Sequence, residues 1–350
     1  MMGTQTSMER VLTALSHREP DRVPLCLTLS LYGAKELQVP VKEYFSRADN
    51  VVRAQLSMRE KYHNDCFYTF FYAPIEVEAW GGEVLFVDDG PPNSGEPFIK
   101  TTAQISSLAV PNIRETDCLQ RVLQVTENLR KRVGTTVPII GVVMSPFSLP
   151  VMQIGFEKYI ELLYGQDTAF NLLMKINEEF CVAWANAQLS AGASAICYFD
   201  PLASPLMVER EQYLKTGHPV AMRTISRING PVAIHLASGQ GLPVIDDISA
   251  TGAAILGFSA LDSTVAMKSA ARDKISLLGN LNGLEMIDWS IEKTEREVKA
   301  LIAKAGMGGG LLVSDNHGEI PWQVPEEVLL QVSEAVRRWG QYPLRWVEEK

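Results

Sequence analysis

The stretch GGGLLVSDNH, residues 308–317, decides the fold, because it has the pattern of a short buried strand with polar residues just past its end. His317 comes four residues after the apolar run, and a second histidine, His235, directly follows GPVAI at residues 230–234. Parallel barrels build their active sites from polar side chains that follow the carboxyl ends of buried strands. The pair therefore predicts an enzyme centred on His235 and His317. The alternative is that each histidine only caps a strand or satisfies a loop.

Similar apolar runs recur along the chain, and helical patterns separate them. This alternation suits βαβ crossovers and predicts one parallel (β/α)8 TIM barrel, an α/β fold with residues 1–350 as a single domain. A doubly wound sheet fits the alternation as well, although no G-x-G-x-x-G follows an early strand. Strands are predicted at 137–144, 194–199, 230–235, 253–258, 275–280 and 310–318, and helices at 42–61, 117–132, 155–163, 167–191, 209–229, 242–249, 264–272, 289–305 and 325–339.

The amino-terminal part of the chain is less regular. Residues 7–17 predict a short amphipathic helix with Ser7 as its N-cap, and the apolar run LCLTL follows it. The aromatic run CFYTFFY at residues 66–72 predicts a strand. Residues 76–92 predict a β-hairpin, because their alternating residues surround a pair of glycines.

Composition and charge exclude several classes of protein. The chain has 350 residues, is 46% hydrophobic and carries a net charge of −9, without the clustered lysines and arginines that nucleic-acid binding needs. No apolar run approaches the roughly 20 residues of a membrane span, and the first residues lack a signal-peptide core, so a cytoplasmic protein is expected. The five cysteines form no C-x-x-C pair, which predicts free thiols rather than a cysteine metal cage.

Polar residues that follow the strands should converge on one face of such a barrel. Neutral imidazole is a good zinc ligand and carboxylates can complete a four-coordinate site, so His235 and His317 are candidate metal ligands. Asp200, Asp315 and Glu319 are the acids near those strand ends, although each could instead cap a helix or face water. The converging residues are Tyr72, Met144, Asp200, His235, Asn280, Asn282, Asp315 and His317.

Apolar residues near the strand ends suit a pocket for an aromatic or hydrophobic ligand. The alternative is that they belong to the ordinary core. Cys197 is expected in the core, since strand alternation puts it on the face opposite Asp200. The pocket candidates are Phe70, Phe71, Tyr72, Met144, Phe147 and Met152.

Seven stretches, taken together, resemble the uroporphyrinogen decarboxylase superfamily, and they follow the order found in that family. The resemblance implies a (β/α)8 barrel with its cleft at the carboxyl ends of the strands. The stretches are MERVLTALSHREPDRVPL (8–25), EAWGGEVLFVDDGPP (78–92), SPFSLPVMQIGFEKYIELLY (145–164), AGASAICYFDPLASPLMVEREQY (191–213), VAIHLASGQGLPVIDDISATGAAILGF (232–258), LLGNLN (277–282) and LLVSDNHGEIPWQVPEE (311–327).

Within this superfamily, the decarboxylases hold the carboxylates of a porphyrinogen with arginines and its pyrrole NH groups with an aspartate. Leu29 and Gly33 stand at the arginine positions here, Tyr72 at the aspartate position and Met152 at that of a tyrosine. Of that constellation only His317 is present. A polycarboxylate substrate needs cationic partners, so porphyrinogen decarboxylation is not expected.

The other branch of the superfamily holds corrinoid-linked methyltransferases. Its thiol-methylating members, which act on coenzyme M, resemble this chain but carry a zinc site with a His-x-Cys pair and a later cysteine. Here Ala237 and His317 stand at the two cysteine positions. The resemblance therefore favours an O-demethylase methyltransferase, which moves a methyl group from a small donor, a phenyl methyl ether, to cobalamin on a corrinoid partner protein.

On this interpretation, His235 and His317 bind a zinc ion or act as acids, and Asp200 and Asp315 support them. Three other functions stay open: a coenzyme M-type methyltransferase, a uroporphyrinogen decarboxylase and a non-catalytic member of the family. The predicted substrate pocket consists of Phe71, Tyr72, Met144, Met152 and Asn280.

Overall fold

A curved sheet of parallel strands forms the centre of the molecule. The computed structural model describes residues 5–165 and 168–348. The strands in these residues are β1 (Phe67–Tyr68), β2 (Val84–Leu85), β3 (Asn93–Ser94), β4 (Ile139–Met144), β5 (Ala195–Phe199), β6 (Val232–His235), β7 (Ile255–Gly257), β8 (Ser276–Leu281) and β9 (Leu311–Asp315). Seven of them pair in parallel in the order β1-β4-β5-β6-β7-β8-β9, while β2 and β3 form a separate antiparallel hairpin.

The apolar run that begins at Leu25 lies between the two edges of this sheet. Leu25 pairs in parallel with Val313 of β9, and the Cys26 N–H donates to the Val313 carbonyl oxygen at 2.8 Å. On its other side, the Asp65 N–H donates to the Leu25 carbonyl oxygen at 2.7 Å, just before β1. This segment therefore occupies the eighth position, and the predicted parallel barrel is confirmed.

Helices surround the barrel, and α1 covers its amino-terminal end. Val11 of α1 packs against Cys26, Cys66 and Leu312, which point into the barrel. The helices are α1 (Ser7–Leu15), α2 (Tyr32–Leu37), α3 (Val41–Ser46), α4 (Ala48–Tyr62), α5 (Ile75–Ala79), α6 (Asp117–Val133), α7 (Pro150–Ile154), α8 (Phe156–Gly165), α9 (Thr168–Ser190), α10 (Arg210–Lys215), α11 (Gly217–Ile225), α12 (Ile245–Ala250), α13 (Thr264–Ala271), α14 (Ile291–Ala305), α15 (Glu326–Trp339) and α16 (Arg345–Glu348).

Both faces of each barrel strand are buried, which explains why the strands are apolar runs rather than alternating ones. In β5, Cys197 and Phe199 face the interior of the barrel together with Tyr68. Ile196 and Tyr198, at the alternate positions, pack in the layer between the sheet and the helices. Cys197 is thus a core residue, as the alternation predicts.

One of the amino-terminal predictions is wrong, and a second is only partly confirmed. The N-cap of α1 is Thr6 rather than Ser7, because Thr6 forms a reciprocal capping box with Glu9, three residues further on. Residues 76–92 do not form one hairpin: they begin within the helix α5, and the short β2–β3 pair follows. The glutamates in α5 are good helix formers, and Pro74 directly precedes it.

Other boundaries differ by less. The strand predicted at 66–72 is reduced to β1, and the helix predicted at 209–229 is divided at Thr216. Pro219 lies in the first turn of α11, where its missing N–H costs no helical hydrogen bond. The predicted first residue of the 167–191 helix, Asp167, lies outside the described residues. Within the described residues, none of the helices combines the length and apolar character that crossing a membrane requires.

A network of buried charges fixes the amino-terminal end of the barrel. Asp65, 1% exposed, accepts hydrogen bonds from Arg10 at 2.7 Å and from Arg22 at 2.8 Å. It also accepts from the Ser7 hydroxyl at 2.9 Å and the Leu25 N–H at 2.9 Å. Both carboxylate oxygens are therefore bonded, and the network joins α1 to the segment that closes the barrel.

Candidate active site

His235 is the last residue of β6 and lies at the carboxyl end of the barrel. Its ring is 1% exposed and stacks on Phe199, with ring centroids 4.9 Å apart. The Ala237 N–H donates to Nδ1 of His235 at 3.0 Å. Because Nδ1 accepts, a neutral ring must carry its proton on Nε2. That Nε2 is buried and has no hydrogen-bond partner among the described residues.

The His235 ring is uncharged in this environment. Burial lowers its pKa to about 4; the nearby Asp315 carboxylate acts in the opposite direction, and His317 lowers the pKa further. The segments that follow the two strands are in contact, because the Ser238 N–H donates to the Asn316 carbonyl oxygen at 2.9 Å, so His235 and His317 lie at the same end of the barrel, as the sequence predicts. An uncharged imidazole with a free Nε2–H is a hydrogen-bond donor without a net charge.

Two glycines leave the space in which the His235 ring lies. Gly257 pairs with His235 across the β6–β7 ladder, and a Cβ atom there would lie 2.3 Å from Cδ2 of the ring. Gly318 has a φ of 85° and lies close to both rings. A Cβ atom at this position would be 2.2 Å from Cζ of Phe199 and 3.2 Å from Cε1 of His235. A larger residue at either position would displace the ring or its stacking partner.

The turn after β9 is held by Asp315, which is completely buried. Its Oδ2 accepts from the N–H groups of His317 at 2.9 Å and Gly318 at 2.8 Å, and its Oδ1 accepts from the Thr28 hydroxyl. The His317 ring is partly exposed, and its buried Nδ1 has no partner within the described chain. Burial lowers the pKa of His317, and Asp315 opposes that effect. Asp315 thus positions the His317 turn over the His235 ring.

The predicted zinc ion does not fit these residues. Nδ1 of His235 is taken by the Ala237 N–H, so Nε2 of the neutral ring carries a proton and has no free lone pair for a metal. In the described part of the chain, no group of three or more histidine, cysteine, aspartate or glutamate side chains is arranged to hold a metal ion. Zinc prefers four ligands, and residues 5–165 and 168–348 offer no such set.

Asp200 lies at the end of the neighbouring strand but faces another layer. Its Oδ1 accepts from the hydroxyls of Ser145 at 2.6 Å and Ser148 at 2.7 Å, while its buried Oδ2 has no described partner. Asp200 shares the face of Tyr198, between the sheet and the helices, and burial raises its pKa to about 6. Its N–H donates to the His235 carbonyl oxygen at 2.9 Å, so its main chain supports β6 while its side chain stays outside the histidine cluster.

The predicted aromatic pocket is only partly brought together. Phe71 and Tyr72 pack on Phe45 in the outer layer, each with ring centroids 5.2 Å away, and the Tyr72 hydroxyl donates to Glu78 at 2.5 Å. Met152 packs against that same layer, as does Phe147. These residues therefore do not line the histidine cluster.

Phe70 and Met144, in contrast, lie with Phe199 in the interior cluster of the barrel. Phe70 stacks on Phe199 with centroids 5.9 Å apart, so Phe70, Phe199 and His235 form a row of rings. Phe70, Phe199 and the partly exposed Met144 keep some contact with solvent. This row is the apolar surface that a small aromatic ligand would contact.

Asn280 lies on β8, away from that row. Its Nδ2 donates to the Ser259 carbonyl oxygen at 2.9 Å. It lines a groove of about 280 Å³ with Asn282, Glu285 and Trp289. The structure therefore assigns Asn280 to a different surface from that of His235.

Four residues that belong to the site were either not predicted as site residues or were predicted with a different role. Phe199 could have been found, because the alternation that puts Cys197 inside also puts Phe199 inside. Tyr68 donates its hydroxyl to the Gly318 carbonyl oxygen at 2.9 Å. Glu319, which the sequence offers only as an acid near a strand end, accepts from the Leu31 N–H at 3.1 Å, and burial raises its pKa to about 7. Thr28 is found only through its long-range bond to Asp315.

A parallel barrel with a buried uncharged histidine, an apolar row of rings and an ordered turn at the carboxyl ends of its strands has the architecture of a barrel enzyme. Residues 6–339 match the family model described as uroporphyrinogen decarboxylase (URO-D). The chain belongs to this family, and its predicted α/β TIM-barrel fold is that of the family.

Relatives in the family carry two kinds of names. A uroporphyrinogen decarboxylase from Cellvibrio japonicus is 27% identical over 251 residues, which cover 69% of this chain and 70% of the relative. The methylcobamide:CoM methyltransferase MtaA from Methanosarcina barkeri is 24% identical over 323 residues, 89% of this chain and 91% of the relative. Decarboxylases and methyltransferases are thus both similar to this chain.

Among solved structures, a methyltransferase from Methanosarcina mazei superimposes with a TM-score of 0.84. It is 22% identical, and the alignment covers 95% of this chain and 99% of the other. At this identity the similarity shows only that the two proteins share a fold. The shared fold extends over nearly the whole of this chain.

Proposed function

We propose that this protein is a corrinoid-dependent methyltransferase that takes a methyl group from a small donor, a phenyl methyl ether, and passes it to the corrinoid of a partner protein. The observation that carries the proposal is the geometry of His235: a buried Nε2–H donor without a partner, next to a row of aromatic rings. Buried donors are almost always satisfied in folded proteins, so an unsatisfied one at a strand end points to a ligand.

The charges around the site disfavour a porphyrinogen substrate. The side chains that cluster with Phe199 beside His235 carry no cationic group; they are Tyr68, Phe70 and Met144. At Gly33, a position of a decarboxylase arginine, even a Cβ would lie 2.1 Å from the Tyr44 hydroxyl oxygen. There is no room for an arginine at this position without rearrangement of the residues around Tyr44.

The residues at the zinc-ligand positions also disfavour a thiol acceptor that is activated by zinc. Ala237 supplies a main-chain N–H to His235 where the thiol-methylating pattern has a cysteine, and a second cysteine is replaced by His317. Without thiolate ligands, the residues present cannot form the site that would bind a thiol as thiolate. An ether donor needs no such site.

Transfer of an ether methyl group leaves an electron pair on the aryl oxygen. A corrinoid bound by the partner would supply a reduced cobalt as the acceptor of the methyl group, so that the carbon–oxygen bond of the ether could break. The Nε2–H of His235 donates a hydrogen bond to the departing oxygen, in surroundings where little water weakens it. His317, which is partly exposed, is suited to pass a proton from solvent to that oxygen. Phe70, Phe199 and Met144 hold the ring.

The test is methyl transfer from aryl methyl ethers to cob(I)alamin by the wild-type protein and by the variants His235→Ala and His317→Ala. Loss of a donor to a developing oxyanion costs about 10²–10³ in rate, and we expect a loss of that size for His235→Ala. His63→Asn is the control, because His63 is an exposed helix cap in a left-handed conformation that asparagine tolerates. Undiminished turnover in His235→Ala would remove the proposed site, and an inactive wild-type protein would remove the proposed function.

A further inference from the structure

A cavity of about 100 Å³ lies inside the barrel, on the amino-terminal side of His235. Its lining includes Val11 and Leu12 of α1, the helix that covers the amino-terminal end of the barrel. It also includes Pro138 and Pro231, which directly precede β4 and β6, and His235, which ends β6. The cavity therefore extends from α1 to His235, and it approaches that residue from the end of the barrel opposite the candidate active site.

Small side chains leave this space open. The interior of a parallel barrel is usually filled by bulky branched side chains in successive layers. Here the lining contains several small residues, which are Cys26, Cys66, Ala195, Cys197 and Ala233. A void lowers the stability of a packed core, because the atoms around it lose contacts. Larger side chains at these positions would close the space, so the cavity is a feature of this sequence rather than of the fold.

The lining offers few partners for water. Its polar side chains other than the thiols are those of Thr28, Tyr68, Ser194 and His235. The Thr28 hydroxyl donates to Asp315, and the Tyr68 hydroxyl donates to the Gly318 carbonyl oxygen at 2.9 Å. The Ser194 hydroxyl accepts from Arg130 at 2.7 Å. A buried water needs about two to four polar partners, so an apolar occupant suits this lining better than water does.

Side chains of α1 connect the cavity with solvent. Leu12 lines the cavity and is 53% exposed. Met8 and Leu15 also line it and are partly exposed. The three lie on one face of the helix, since residues three and four apart are neighbours on a helix surface. A small apolar molecule can therefore reach the interior beside α1, without passing the carboxyl ends of the strands.

We propose that this cavity is a binding site for a small apolar molecule, of the size of xenon or a short hydrocarbon, which enters beside α1 and contacts His235 from the amino-terminal side. An apolar cavity of about 150 Å³ in another protein stays dry and binds benzene or xenon. The smaller cavity in this barrel therefore suits xenon or cyclopropane better than a benzene ring. The inference makes no use of methyl transfer, so it stands or falls independently of the proposed function.

Crystals of the protein pressurised with xenon test the position of the site. We expect xenon in the barrel of the wild-type protein, bordered by Val11, Ala233 and Leu312. Ala233→Leu places a larger side chain in the cavity and should reduce the xenon occupancy to about a tenth of the wild-type value or less. Ile234→Leu is the matched control and should keep the wild-type occupancy, because Ile234 packs on the opposite face of the same strand and the exchange conserves volume.

Thermal unfolding in the presence of cyclopropane tests the same site in solution. A ligand that binds only the folded protein raises the melting temperature, so we expect a rise for the wild-type protein and for Ile234→Leu, and none for Ala233→Leu. Ala195→Val also narrows the cavity, with a residue that strands favour, and serves as the second variant if Ala233→Leu does not fold.

Three results would overturn the inference: ordered water in the wild-type cavity, no xenon there, or an undiminished response in the variants that fill the cavity. None of them bears on the proposed function, whose test is turnover of aryl methyl ethers. Conversely, a protein that binds xenon in this cavity and transfers no methyl group would retain the site and lose the proposed function.

Discussion

Asp65 at the amino-terminal end of the barrel and three polar side chains at its carboxyl end differ in how fully they are hydrogen-bonded. At the amino-terminal end, both oxygens of Asp65 accept hydrogen bonds, and two arginines neutralise its charge. At the carboxyl end, Nε2 of His235, Oε2 of Glu76 and Oδ2 of Asp200 are buried without described partners. Unsatisfied buried groups cost stability, so a fold keeps them where a ligand uses them. The contrast indicates that the Asp65 network stabilises the barrel, whereas the unpartnered atoms at the carboxyl end are available to a ligand, although Asp315 at that end is fully bonded.

The largest effect on stability is expected at the satisfied end. Asp65→Ala leaves the guanidinium groups of Arg10 and Arg22 with fewer partners in a buried place, which should lower the free energy of unfolding by about 3–5 kcal/mol. Urea unfolding measures this. Asp246→Ala, which removes an exposed ion pair with Lys274, is the control and should cost at most about 1 kcal/mol. Equal effects of the two substitutions would contradict the assignment of the amino-terminal end to stability.

A smaller and pH-dependent effect is expected at the unsatisfied end. Because it is buried, Glu76 of α5 keeps its proton up to a pKa of about 8 in the folded protein, whereas the unfolded chain releases it near the ordinary value of 4.5. The stability of the wild-type protein relative to Glu76→Gln is thus greatest below about pH 4.5, falls as pH rises towards 8 and is constant above it. From about pH 5 to about pH 7 the fall should amount to about 2–3 kcal/mol, because one pH unit inside that window is worth about 1.4 kcal/mol.

Unfolding of the two proteins at a series of pH values measures that difference. Glutamine keeps the acceptor for the Met144 N–H, so the comparison isolates the titration of the carboxyl group. A difference that stays constant from acid to alkaline pH would mean that Glu76 is ionised in the folded protein. Glu76 would then not be a neutral acid, and the contrast between the two ends would be weaker.

Much of the fold could be predicted from the sequence, because buried parallel strands are apolar runs with helices between them. The meeting of His235 and His317 followed from the same argument, since the carboxyl ends of parallel strands share one face. The face of each side chain was harder to predict: Asp200 stands one residue beyond Phe199, and a shift of one residue in a strand reverses the face.

Two features of the site depend on contacts that a sequence does not reveal. The tautomer of His235 follows from the position of the Ala237 N–H, which requires a φ of 46° at Ala237. Glu76 lies in a segment predicted as a hairpin, and only the helix α5 directs its carboxyl group towards Met144. Phe71, Tyr72 and Met152 pack outside the cluster, because the chain leaves the strand conformation after β1.

The proton on the His235 ring tests the central claim most directly. Nitrogen-15 spectroscopy of histidine-labelled protein, assigned with His235→Ala, distinguishes the two ring nitrogens. We expect Nε2 to carry the proton, Nδ1 to be an unprotonated acceptor, and both signals to stay unchanged from about pH 6 to about pH 8, because burial keeps the pKa near 4. A protonated Nδ1, or a ring that titrates near its ordinary pKa of about 6.5, would contradict the assignment of His235 as a neutral donor.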